Sequence, residues 1–230
     1  AVSGTVSTAP FIGIFISTGL VPTVTGNTIG SLDGSSAITV SSTSTSTGEL
    51  IGIYNLSGTN NNATYSNNNL GNLTYTNSST GGTTIRGIYS AGGTGTSTMM
   101  NNMIGSASAP LTCAAGATST GGQCIGLWMV ATTPAFILTG NTVRNLTHSG
   151  ANVGTGTAAS VIGILSTSTG AGTNISQNTV HTLANTNATA AVWVSGISYG
   201  GATTGSNFVA RNNIHSLNIA SSSPSATMNG

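Results

Sequence analysis

Ile51-Gly52-Ile53-Tyr54, followed by Asn68-Asn69-Leu70-Gly71-Asn72-Leu73, is the stretch that decides the fold. A Gly-Ile step leads, and an Asn-x-apolar-x-x-apolar phrase follows it. The pair recurs six times. The Gly-Ile steps are Gly13-Ile14, Gly52-Ile53, Gly87-Ile88, Gly126-Leu127, Gly163-Ile164 and Gly196-Ile197, and the phrases begin at Asn27, Asn68, Asn102, Asn141, Asn178 and Asn212. Within a pair the separation is 14 to 16 residues, whereas the gap from each Asn to the next Gly-Ile runs from 18 to 25. One half of the repeat is nearly rigid in length and the other varies, as expected of strands joined by a surface loop.

A repeat of 33 to 41 residues also suits helical arrays. The residue types argue against helix. The short apolar runs are β-branched and punctuated by Gly and Asn, and no segment offers ten good helix formers at a 3.6-residue spacing. Two residues after each Asn stand Ile29, Leu70, Ile104, Val143, Val180 and Ile214; three further on stand Leu32, Leu73, Ala107, Leu146, Leu183 and Leu217. Shortly before each Asn stand Val24, Tyr65, Met99, Leu138, Ile175 and Val209. Each repeat thus supplies three short strands separated by bends. Stacking the repeats gives apolar ladders and a core shared only between neighbours, which is a solenoid. The reading is a single all-β domain over 1–230, a right-handed single-stranded parallel β-helix of about six coils, its hand set by the crossover rule. At one rung of ~4.8 Å per coil, six coils make a rod of roughly 30 Å.

Gly-Ile-x-x, a bend, an apolar residue and then Asn-x-Ile-x-x-Leu resembles the coil of right-handed parallel β-helix proteins of the pectin-lyase-like group, closest to Asn-rich, NosD-like coils. The long Ser/Thr/Gly loops look like those of large secreted surface proteins of Bacteroidetes-type bacteria. The resemblance covers essentially the whole chain. It implies the fold and leaves function open.

Composition excludes several functions. Charged residues make up 2% of the 230, there is no lysine, and the formal net charge is +1, which excludes a basic nucleic-acid binder. Hydrophobic residues at 37% and a mean hydropathy of +0.22 argue against disorder. No apolar run approaches the roughly 20 residues of a membrane span, and no signal-peptide pattern is present. The chain does not open on Met, which points to a processed product or an excerpt. Residues 1–12 read as the tail of a loop, and neither end carries a capping element. Open solenoid ends expose strand edges, so the expected partner is the protein itself, as a head-to-tail homopolymer or within a longer parent chain.

The six phrase Asn residues read as scaffold, at bends and in a side-chain amide ladder along the axis. Ile14, Ile53, Ile88, Leu127, Ile164 and Ile197 read as an inward core ladder. The residue after each then points outward, so Phe15, Tyr54, Tyr89 and Trp128 form an aromatic stripe. That stripe is a contact track for glycans or for a neighbouring filament, or else it is covered by the variable loop as a second small core. Cys113 and Cys124, within a Gly/Ala/Thr-rich stretch, suggest a local disulfide and an oxidising compartment, the alternative being two unrelated thiols.

Three residues after each Asn stand Gly30, Gly71, Gly105, Arg144, His181 and His215. A His181/His215 pair one rung apart can hold a metal, but a solvated outward ladder is the simpler reading, so no metal or cofactor is assigned. His148 reads as a loop residue. Asp33 and Glu49, the only acids, fall in the first variable loop, which is too few for a carboxylate-rich Ca²⁺ site and leaves nothing to orient an acid–base pair. The sequons at Asn55, Asn62, Asn72, Asn77, Asn145, Asn174 and Asn187 are unremarkable in so Ser/Thr-rich a chain. An ice-binding surface needs Thr in register on successive coils, and the run Thr43–Thr47 reads as loop. The expectation is a non-catalytic extracellular filament or cell-surface adhesin segment; the alternative is a carbohydrate-binding module or degenerate polysaccharide-active β-helix using the aromatic stripe.

Overall fold

The computed structural model describes residues 2–3, 10–17, 21–56, 62–91, 95–130 and 135–230. These form a parallel β-solenoid of about six turns. Every strand pairing is parallel, and the described residues hold one short 3₁₀ turn, Gly156–Ala158. Of the sequence-predicted leading loop, residues 1 and 4–9 lie outside the described residues. Phe11 and Ile12 already belong to the first full strand, Phe11–Ile16.

Three sheets run the length of the stack. The Gly-Ile sheet holds Phe11–Ile16, Gly48–Asn55, Thr83–Ala91, Cys124–Val130, Val161–Ser166, Trp193–Tyr199 and Thr227–Asn229. The middle sheet holds Thr23–Thr25, Thr64–Ser66, Ser97–Met100, Phe136–Thr139, Asn174–Ser176 and Phe208–Ala210. The third begins just after each phrase Asn and contains ten strands, among them Thr142–His148, Thr179–Asn185 and Asn213–Ile219. In coils one to three its strands are split in two: Thr28–Gly30 and Ile38–Ser42, Asn69–Gly71 and Leu73–Asn77, Met103–Ile104 and Leu111–Ala114.

The inner rows follow the repeat. Ile14, Ile53, Ile88, Leu127, Ile164 and Ile197 pair in register, and so do Val24, Tyr65, Met99, Leu138, Ile175 and Val209. A second inward row on the Gly-Ile sheet runs Phe11, Leu50, Ile85, Cys124, Val161 and Val194. These two rows lie three residues apart, an odd step for a strand whose faces alternate. The Gly between them takes up that step, and its missing side chain makes room for the phrase residue opposite. A Cβ on Gly52 would stand 2.3 Å from Leu70 Cδ2, on Gly126 2.3 Å from Val143 Cγ1, on Gly163 2.3 Å from Val180 Cγ1, and on Gly196 2.4 Å from Ile214 Cγ2. The Gly-Ile step and the Asn phrase are therefore hole and knob of the same coil, which is why their separation is held so constant.

Two slots differ from the sequence expectation. Leu73 pairs with Ile38 and with Leu111, so these fill the last inward slot in coils one and three, in place of Leu32 and Ala107. Segments 31–37 and 105–110 loop outward there, after Gly30 and Gly105 with φ of 71° and 76°. The two loops meet: the Ser106 hydroxyl donates to the Leu32 carbonyl, and Asn72 Nδ2 donates to Gly34 O at 3.1 Å. The variable half of the repeat also contains more strand than expected. Glu49 and His148 both lie in strands, since Gly48–Asn55 begins before its Gly-Ile step and Thr142–His148 runs past its phrase.

Candidate functional site: the axial ladders

The phrase Asn residues form a continuous hydrogen-bonded ladder. Oδ1 of each accepts two bonds from the Asn of the preceding coil. Asn102, for example, receives Asn68 N–H at 3.1 Å and Asn68 Nδ2 at 2.9 Å. The pattern repeats from Asn27 to Asn212 at 2.9 to 3.1 Å. Nδ2 also donates backward to a middle-sheet carbonyl of the preceding coil, as from Asn141 to Met99 O at 2.9 Å. Each interior Asn thus ties three coils together. Asn68, Asn102, Asn141 and Asn178 are buried, where an amide with every group satisfied is stabilising and one left unmet is costly. The bend itself belongs to the residue before: Gly26, Asn67, Asn101, Gly140, Gln177 and Arg211 all have positive φ, between 53° and 68°.

The ladder ends in complementary halves. Among the described residues, Asn27 Oδ1 accepts nothing, and Asn27 Nδ2 turns to Thr25 O of its own coil at 3.2 Å. At the other end the Asn212 N–H has no acceptor among the described residues, while Asn212 Nδ2 keeps only its backward bond to Ile175 O at 2.8 Å. The last coil leaves Phe208, Val209 and Met228 exposed; the first leaves Phe15 and Val21 exposed. An open groove lined by Ile197, Tyr199, Val209, Arg211 and Ile214 marks the last coil's unfinished cross-section.

On the outer face of the Gly-Ile sheet, Phe15, Tyr54, Tyr89 and Trp128 stack along the axis with ring centroids 5.4, 4.9 and 4.6 Å apart. Arg86, one column over, places its guanidinium 4.6 Å from the centroids of both Tyr89 and Trp128, and pairs with Glu49 at 2.8 Å. Burial raises the Tyr89 and Tyr54 phenols, and Arg86 pulls each partly back. The rings spend their faces on one another and on Arg86 and turn edges to solvent, so the face a sugar would stack on is open chiefly at Phe15, which is 51% exposed. In the next coils the variable loop does form a second small core. Ala159, beside the 3₁₀ turn, packs with Ile125, Ile162 and Leu165, against which Trp128 and Trp193 lean. The stripe is therefore open at one end and covered at the other.

The remaining sites divide. Cys113 and Cys124 are free thiols, both buried, which corrects the expected disulfide. They lie on consecutive strands, in the inward rows of different sheets, and burial together with the Cys113 thiol beside it pushes the Cys124 thiol well up. His148 is fully buried in the row of Tyr75, Cys113 and Asn185. Desolvation lowers its pKa to about 4, partly offset by backbone contacts with Thr83 and Gly150. Arg144, His181 and His215 pair in register on the outer face of the third sheet. Asp33 accepts from Ser35 N–H at 2.9 Å and Ser35 Oγ at 2.6 Å, and these bonds hold its carboxyl below the usual range.

The sequence reading missed two features. Arg86 was not linked to the stripe, although its place one residue before Gly87 marks it as outward. Thr39, Thr74, Thr112 and Thr147 form an outward in-register column, although the run Thr43–Thr47 does lie between strands. No group of three or more potential metal ligands occurs among the described residues, and none of their helices is long and apolar enough to cross a membrane. No family model, no curated protein and no solved structure matches the chain.

Proposed function

We propose that this chain is a non-catalytic structural protein, a segment of an extracellular filament or cell-surface adhesin that is extended by stacking β-solenoid coils. The observation that carries the reading is the pair of ladder ends. Placed over Asn27 of a further coil stack, the N–H and Nδ2 of Asn212 would meet its Oδ1, Asn27 Nδ2 would reach the Val209 carbonyl, and the Thr28 N–H would reach the Asn212 carbonyl, as at every internal coil boundary. Thr227–Asn229 already fills the place beside Trp193–Tyr199 that Phe11–Ile16 of a stacked copy would take, so the continuing coil is further chain of the same kind or a second copy whose first strand displaces Thr227–Asn229. Near-zero charge removes the repulsion that keeps proteins apart. Both carboxylates are engaged elsewhere, Asp33 with Ser35 and Glu49 with Arg86, which favours a scaffold over an acid–base enzyme.

The coil type we assign is the pectin-lyase-like, NosD-like one of large secreted surface proteins. The buried thiols do not call for an oxidising compartment, so the extracellular placement rests on composition alone. A carbohydrate-binding role for the stripe keeps one support, the open face of Phe15. Sedimentation velocity over a wide concentration range tests the main reading. End-to-end species that grow with concentration, and shrink in Asn212→Ala, are expected; a single species throughout contradicts self-stacking. Glycan-array binding lost in Phe15→Ala would favour the carbohydrate role.

A further inference from the structure

Among the described residues, the outer face of the third sheet carries one cluster of basic side chains. Arg144, His181 and His215 occupy one column on successive strands, in register. The two imidazoles stack with centroids 4.7 Å apart and planes 9° from parallel. Each is held the same way: His181 Nδ1 lies 2.9 Å from Thr182 Oγ1, and His215 Nδ1 lies 2.9 Å from Ser216 Oγ. With Nδ1 engaged, the Nε2 atoms point outward side by side.

The hydroxyl residues that hold the rings sit in an unfavourable place. Thr182 and Ser216 both have φ of 56°, at the turn position where coils two and four have Asn72 at 55° and Asn145 at 53°, whereas coils one and three, with Ser31 and Ser106 there, turn one residue earlier at Gly30 and Gly105. Asn tolerates this left-handed conformation, while a β-branched Thr rarely adopts it. Of the four coils that turn at this position, the two whose preceding residue is His carry a hydroxyl residue in place of Asn. A costly backbone state retained next to an oriented side chain is the pattern of a functional site.

The column has no counter-charge within the protein. The chain has two acids; Glu49 is bound to Arg86 on another sheet, and Asp33 bonds Ser35. The groups acting electrostatically on His181 are His215 and Arg144, and no carboxylate is among them. Arg144 Nε makes only a long 3.5 Å contact with the Gly105 carbonyl.

We propose that Arg144, His181 and His215 form a binding site for a tetrahedral oxyanion, a sulfate or phosphate group that is either free or carried as an ester on a larger molecule. Two parallel Nε2–H donors one rung apart, with a guanidinium fork on the next rung, match a group offering three oxygens; a planar carboxylate has only two. A metal ion fits poorly, because the lone pairs of parallel rings do not converge and Arg144 repels a cation. The face also suits a hydrophilic partner: Thr142, Thr179 and Asn213 flank the column, with no aromatic side chain to stack a base. Binding strengthens as pH falls, because burial, His215 and Arg144 all hold the His181 pKa below its usual value, and a bound dianion reverses the last two effects.

Histidine NMR tests this directly, since the chain has three histidines and buried His148 serves as an internal control. Inorganic sulfate, titrated at mildly acid pH and constant ionic strength against chloride, is expected to shift the His181 and His215 ring signals saturably and leave His148 unmoved. Arg144→Gln should weaken the effect at least tenfold, with an unchanged melting curve showing that the fold persists. Dextran sulfate against neutral dextran distinguishes the sources: binding of the sulfated polymer with no effect of free sulfate assigns the group to a larger molecule. Shifts equal to those in chloride with no binding of either sulfated probe, an Arg144→Gln response equal to the parent's, or Ni²⁺ at neutral pH displacing sulfate from the rings would overturn the proposal.

Discussion

Gly126 lies directly against Val143: a Cβ built on Gly126 would fall 2.3 Å from Val143 Cγ1 and 2.6 Å from the carbonyl of Gly163 in the next coil. The contact joins the two halves of one repeat across the core. Gly126→Ala is expected to cost about 2–3 kcal/mol through overpacking, seen as a lower urea midpoint with an unchanged slope. Gly126→Ala paired with Val143→Ala should recover part of that loss, because the second change enlarges the hole. An unaltered midpoint in the single variant would show that the coil tolerates the side chain.

Asn141 is linked to both of its neighbouring coils, through Asn102, Asn178 and Met99. Asn141→Ala leaves two buried donors of Asn102 and the Met99 carbonyl without this partner and takes one of the two donors from Asn178 Oδ1, and is expected to cost about 3 kcal/mol or more. Asn27→Ala, at the solvated end of the ladder, should cost about 1 kcal/mol or less. Chemical denaturation of the two variants separates a cooperative ladder from a set of equivalent surface amides, which would give equal losses.

His148 makes stability fall in mild acid. Its folded pKa is depressed to about 4 while the unfolded value stays near 6.5, so the unfolded chain takes up the proton first. The stability present above pH 6.5 is lost progressively as pH falls to about 4, amounting to about 3 kcal/mol. His148→Asn, which copies Asn185 in the adjacent coil, should remove most of that dependence. Melting temperatures at pH 7, 5.5 and 4.5 check this, and parallel curves for parent and variant would refute it.

Cys113 and Cys124 should each react with a thiol reagent only after unfolding, since both are fully buried. Mass spectrometry under denaturing, non-reducing conditions is expected to count two alkylated cysteines, and a count of zero would show a disulfide.

The inward ladders and the amide ladder were legible in the sequence because the segment from Gly-Ile to Asn is held at nearly constant length by the knob-in-hole contact itself. Leu32 and Ala107 were misplaced because loops interrupt the phrase after Gly30 and Gly105, and the inward slot passes to Ile38 and Leu111. The spacing carries no mark of such an insertion when an apolar residue happens to fall at the expected place. Glu49 and His148 were read as loop residues because the variable half of the repeat conceals strand on either side of its turns. The aromatic column was legible from alternation alone. That its rings stack on one another and on Arg86 depends on side-chain rotamers, which alternation does not specify.

In the proposed self-assembly a second copy continues the solenoid through Asn212 and Asn27, its Phe11–Ile16 replacing Thr227–Asn229 beside Trp193–Tyr199. Electron cryomicroscopy of the concentrated protein tests it most directly. Stacking through these ends gives unbranched filaments with a rung spacing of ~4.8 Å, a subunit repeat of roughly 30 Å, and density for Asn212 against Asn27 of the next copy. Isolated single rods at every concentration, or filaments joined through their sides, would contradict it.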